Sequence, residues 1–202
     1  SADGSVVAIG AIGNDVNGAM SGHVRIYENI NGEWVQVGLA LDGEAHGDLS
    51  GESVSLSADG SVVAIGASWN DAYWNDGVYG DDSGHVRIYE NVDGEWVQVG
   101  SDLDGEAAGD NSGKSVSLSA DGSVVAIGAD GNDGVNGEDS GHVRIYENVD
   151  GEWVQIGSNI DGEGAFLPYL YADLLGWSVN LSDDGSVIAI GATGSLSGHV
   201  RI

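Results

Sequence analysis

The sequence predicts an all-β fold, a β-propeller of four-stranded antiparallel blades, and three observations carry the prediction. The phrase SADGSVVAIGA stands at 1–11, 57–67 and 119–129, and a near copy, SDDGSVIAIGA, stands at 182–192. Its copies start at 1, 57, 119 and 182, so they are 56, 62 and 63 residues apart. That is the length of a four-stranded unit, whereas β-solenoid repeats are far shorter. Glycine occurs 35 times in 202 residues and proline once, a composition of many tight turns between short strands.

Each strand is justified by its own letters. SVVAIGA is apolar at both parities, as in a strand buried on both faces. HVRIYE alternates, with Val143 and Ile145 on one face and His142, Arg144 and Tyr146 on the other. EWVQIG alternates likewise, Val154 and Ile156 opposite Trp153 and Gln155. KSVSL, 114–118, supplies a strand ahead of all three. In chain order these are strands A (KSVSL), B, C and D. Asp121-Gly122 reads as a two-residue turn from A to B, and Asp150-Gly151 as the turn from C to D. Asn31-Gly32 and Asp93-Gly94 are the equivalents of the latter. The blades run 1–50 (without A), 51–111, 112–174 and 175–202 (without D), a single partial propeller over 1–202 of about 3.3 blades.

The block SGKSVSLSADGSVVAIGA, 112–129, resembles the FG-GAP repeat of integrin α-chain propellers and of bacterial surface proteins. GHVRIYE resembles the family's Gly-x-Val-Tyr-Val-Tyr strand, and GNDGVNGEDSGHV, 131–143, its bacterial loops. The resemblance covers essentially the whole chain. There are departures: Ser50, Ser112 and Leu175 replace the family Phe, and Ile12, Ser68, Asp130 and Thr193 the family Pro. The integrin calcium loop between A and B is reduced here to SADG or SDDG. Such a turn cannot supply the six to eight oxygens calcium takes, so that site is not carried over. Beginning in strand B without an initiator Met and ending in C, the chain is expected to be a segment of a larger ring, seven-bladed in the family it resembles.

The charge is lopsided, 33 acidic residues against 5 basic, for a net −28. Such a surface repels duplex nucleic acid and anionic membranes. It reads as a solubilising surface, as carboxylate loops for cations, or as a face for a basic partner. The chain has no cysteine, hence no disulfide or thiolate metal site. It carries no apolar run of the roughly 18 residues a membrane span needs.

The D-to-A loops gather hard oxygen ligands: Asp102, Asp104, Glu106 and Asp110, with Asp42, Glu44 and Asp48 in the preceding repeat. The B-to-C loops add Asn14-Asp15, Asn70-Asp71 and Asn132-Asp133. Oxygen ligands at short spacing suit Ca2+; the same residues also cap turns by accepting nearby backbone N–H groups. The repeated His23, His85, His142 and His199 read as structural, because equivalent positions are spread around a ring. Arg25, Arg87, Arg144 and Arg201 read as ion pairs or carbonyl donors between blades, and Trp34, Trp96 and Trp153 as packing residues.

Two segments break the repeat. SWNDAYWNDGVYGDDSG, 68–84, carries Trp69, Tyr73, Trp74 and Tyr79 among acids, suiting sugar stacking, a protein contact, or packing on its own blade. EGAFLPYLYADLLGW, 163–177, is apolar and suits packing in a gap between blades or a contact with a neighbouring domain, packing being the preferred reading. No nucleophile elbow, zinc-helix or phosphate-loop motif is present. The expectation is therefore a non-catalytic extracellular or cell-surface module, for adhesion, surface assembly or protein contact, supported by calcium. Its expected partners are a protein or glycan at the cell surface and further blades of the same chain. A glycan-binding propeller and the accessory propeller of a secreted enzyme are the alternatives.

Overall fold

A computed structural model describes residues 1–70, 82–163, 173–194 and 198–202. The described residues form strands and turns with no helix, in four antiparallel sheets. The first holds β1 (Val6–Gly10), β2 (His23–Ile30), β3 (Glu33–Gln36) and β4 (Leu41–Asp42). The second holds β5 (Ser53–Leu56), β6 (Val62–Ala67), β7 (His85–Val92), β8 (Glu95–Gln98) and β9 (Leu103–Asp104). The third repeats that plan with β10 (Ser115–Leu118), β11 (Val124–Ala129), β12 (His142–Val149), β13 (Glu152–Gln155) and β14 (Ile160–Asp161). The fourth has β15 (Leu175–Leu181), β16 (Ile188–Ala192) and β17 (His199–Arg201).

The main path of each sheet follows chain order, β1-β2-β3, β5-β6-β7-β8, β10-β11-β12-β13 and β15-β16-β17, each strand antiparallel to its neighbour. The Asx-Gly turns from C to D have the two left-handed residues of a type I′ hairpin, with Asp93 at φ 53° and Gly94 at φ 91°. The A-to-B connection departs from the two-residue reading. Gly60 N–H donates to the Ser57 carbonyl, closing a β-turn with glycine at its last position. The Asp59 carboxylate caps that turn, accepting from Ser61 N–H (2.9 Å) and from the hydroxyls of Ser57 and Ser61. Two-residue strands unforeseen in the sequence, β4, β9 and β14, return to pair with the start of β2, β7 and β12.

Three apolar clusters lie between successive sheets. The apolar run of strand B is buried on both faces: Val125, Ala126 and Ile127 are fully buried. In β1 the same letters carry Ile9 half-exposed, because no described sheet packs on that face. The A strands lie against one another, β5 on β10 and β10 on β15. Serines stitch them: Ser53 Oγ donates to the Gly113 carbonyl (2.7 Å), and Ser55 Oγ accepts from Leu118 N–H (2.9 Å). Toward the outer strands the seam is closed by donors of the later sheet. Trp96 Nε1 donates to the Val37 carbonyl and Trp153 Nε1 to the Val99 carbonyl, both at 3.1 Å. Arg87, Arg144 and Arg201 donate to the carbonyls of Asp42, Asp104 and Asp161 at 2.6–2.8 Å.

Candidate metal centre

A histidine opens every C strand and faces a carboxylate through Nδ1. The separations are 3.7 Å for His23–Asp42, 3.8 Å for His85–Asp102, 3.7 Å for His142–Glu106 and 3.6 Å for His199–Asp173. The register places them: β7 and β9 pair His85 with Asp104, and Asp102 lies two residues before. The preceding sheet's D-to-A loop brings Glu44 across the seam. One ligand atom each from Glu44, His85 and Asp102 lie within 4.8 Å of one another. Among the described residues this is the one group of three histidines or acids so placed.

The next seam shows what is unusual here. Asn159 occupies the place of Asp102. Gln155 Nε2 donates to its Oδ1 (2.8 Å), as Gln98 Nε2 donates to Asp102 Oδ1 (2.6 Å). The Asn159 amide then donates to Glu106 Oε2 (3.1 Å) and lies 3.4 Å from His142 Nδ1. That network has a donor at its centre. In the second sheet a carboxylate replaces that amide, so two carboxylates converge on one imidazole, with Arg87 beside Glu44. A cation satisfies such a set.

The electrostatics agree. Burial raises the Glu44 pKa, opposed by Arg87 and reinforced by Asp102, Asp48 and Asp104. Burial and Arg87 push His85 down to about 4, so its imidazole is neutral at pH 7 with a lone pair to offer. His85 is buried, while Glu44 is half-exposed and Asp102 partly so. Arg87 Nη1 stands 3.6 Å from Glu44 Oε1.

The other acids and amides named from the sequence occupy separate positions. Asp48 accepts the N–H groups of Glu44 (2.9 Å) and Ala45 (2.7 Å), and Asp110 those of Glu106 and Ala107 (both 2.9 Å). Asn14 accepts from Val16 N–H, Asp15 from Met20 N–H, and Asp133 from Asp139 N–H. Asn70 and Asn132 are buried, and Trp69 is half-exposed. Asp42 faces His23, Asp104 is exposed at the surface though desolvation and the neighbouring Asp102 raise its pKa, and Glu106 belongs to the Asn159 network. Asp71, Tyr73, Trp74 and Tyr79 lie outside the described residues. His85 is the member that sequence reasoning missed. The readable signal was the change at equivalent positions Ala40, Asp102 and Asn159 beside an unchanged histidine.

The Asn159 network of the third sheet makes its own prediction. Burial, then Arg144, lowers the His142 pKa. The unfolded imidazole takes its proton near pH 6.5, the folded one only below that. The stability this contributes is therefore lost as pH falls from about 6.5 through the folded pKa. In urea titrations between about pH 7 and pH 5, His142→Gln is expected to lose less stability than the parent. Equal slopes would show that the ring is solvated.

No family model matches the chain, and no curated protein does. Among solved structures it is similar to a protein from Bacteroides uniformis assigned by name to the 6-phosphogluconolactonases. Identity is 12% and the TM-score 0.47, over 89% of this chain and 46% of that one. It is also similar to PpgL, a periplasmic gluconolactonase of Pseudomonas aeruginosa, at 15% identity and TM-score 0.43, over 100% of this chain and 69% of that one. The chain thus spans less than half the length of the first. These names correct the expectation of a non-catalytic, integrin-like adhesion or binding module: both of these solved structures are named as lactonases. At such identities and TM-scores no reaction is transferred to this chain.

Proposed function

We propose that the four sheets are consecutive blades of a β-propeller and that the seam between the first two binds a zinc-class divalent ion. The observation that carries the metal reading is the convergence of Glu44, His85 and Asp102 where the next seam has Asn159 as a donor. The blade reading is supported by A strands that meet one another, β5 on β10 and β10 on β15, while tryptophan side chains bridge the outer strands. An imidazole among the ligands favours zinc over the calcium expected from the loops, since calcium takes oxygen ligands. Ligand atoms of a tetrahedral zinc stand roughly 3.3 Å apart. The half-exposed Glu44 side chain closes that gap by a rotamer change that draws it away from Arg87. Three protein ligands leave one position to water, and activation of that water for hydrolysis is the chemistry such a centre supports. The net charge of −28 favours solubility, and an extracellular or cell-surface location is the setting we propose.

Calorimetric titration with zinc chloride tests the metal site. The parent is expected to bind one ion, and Asp102→Asn to bind about 100-fold more weakly or not at all. Without metal, Asp102→Asn is expected to melt higher than the parent, since its amide supplies the bonds Asn159 makes. Equal zinc uptake by the two proteins would eliminate the site.

A further inference from the structure

A different cavity repeats at the other end of the same seams, beside the A-to-B turns. The first, about 210 Å³, is lined by Val6, Glu28 and Val37 of the first sheet and by Asp59, Asn91 and Trp96 of the second. The second, also about 210 Å³, has the same residues one unit on: Val62, Glu90, Val99, Asp121, Asn148 and Trp153. We propose that each cavity binds a small organic cation of the quaternary-ammonium type, two per chain.

Five features point to that class. The indole is fixed as a wall, its N–H held by the Val37 carbonyl in one cavity and the Val99 carbonyl in the other. An anchored tryptophan face attracts a desolvated cation. Three hydrogen bonds to one oxygen of Asp59, and the same three at Asp121, hold these carboxyls below their usual pKa, so both stay anionic. Glu28 and Glu90 add a second carboxylate to each cavity and have no ion-pair partner among the described residues. The valine lining disfavours a hydrated metal ion, which needs six to eight oxygens. The volume lies below the roughly 300 Å³ at which pockets accept drug-sized ligands, and fits a single trimethylammonium head.

Choline chloride is the probe, followed by tryptophan fluorescence and by ligand-observed NMR. The controls are sodium chloride at equal ionic strength and 3,3-dimethylbutan-1-ol, the neutral isostere. Saturation at two cholines per chain is expected, with the isostere at least tenfold weaker. Glu28→Gln should leave one site, and Glu28→Gln with Glu90→Gln none; both side chains are exposed, so the fold survives. Melting curves of the variants verify this. The proposal is overturned if the isostere binds equally, if sodium chloride reproduces the response, or if the double variant keeps both sites. Zinc uptake at Glu44, His85 and Asp102 does not enter any of these readouts.

Discussion

Gly66→Ala is expected to cost about 3–5 kcal/mol or to prevent folding. Gly66 lies in β6 where the second sheet crosses the start of the third. A Cβ there would run into the Gly113 carbonyl oxygen and Ser53 Oγ, with the Gly113 carbonyl carbon at 3.0 Å. Two of those three atoms are backbone and cannot rotate away. Gly113 is itself left-handed, at φ 88°, and donates its N–H to the Gly128 carbonyl, so it cannot retreat without breaking the next contact. Conformation is not the cause, since the Gly66 φ is one any residue adopts. Gly94→Ala separates the two effects. Gly94 is left-handed at φ 91° but faces open space, so alanine should cost only about 1 kcal/mol of backbone strain. Urea denaturation of both variants measures the difference. A Gly66→Ala loss no larger than that of Gly94→Ala would mean that the sheets do not approach so closely.

The sequence made the strands legible because their letters answer local demands. The B strand is apolar on both parities and is buried on both faces in the second and third sheets. Asn31, Asp93 and Asp150 took the left-handed position that their turns require. Asp59 and Asp121 look the same as those residues in one dimension, yet each caps a longer turn. The difference lies in the flanking serines, whose hydroxyls and N–H bind the carboxylate. The strands β4, β9 and β14 were not legible, since a two-residue pairing is set by the neighbouring strand. The metal centre was legible only in halves. Glu44 and Asp102 could be named as acids, but they meet at His85 through contact between sheets, which local pattern does not encode. Reading the histidines as equivalent by repetition hid the fact that their surroundings differ.

Arg144→Ala is expected to cost about 3 kcal/mol. The guanidinium is buried, and Nη2 donates to the Asp104 carbonyl at 2.6 Å and to Ser112 Oγ at 3.2 Å. Its carbon lies 5.6 Å from the Tyr146 ring centre, adding a cation–π contact. Truncation leaves a carbonyl without its donor and takes a positive charge from beside Asp104. Arg144→Lys should recover less than half the loss, since an ammonium lacks the planar fork. Arg25 is the internal control. It holds the same place in the first sheet but is exposed and makes no such bond among the described residues, so Arg25→Ala should change stability by less than about 0.5 kcal/mol. Thermal melts rank the variants, and equal effects at Arg25 and Arg144 would refute the role of the carbonyl contact.

The Arg and Trp bonds across each seam run from a side chain of the later sheet to a main-chain oxygen of the earlier one. A main-chain oxygen is present whatever residue carries it. The donor must keep its identity, while the accepting segment is free to drift. Selection can therefore alter Val37, Asp42, Val99 or Asp104 and their flanking loops without unpicking the joint between sheets. Ala40, Asp102 and Asn159 differ at equivalent positions beside those acceptors, and the joint persists beside all three of them.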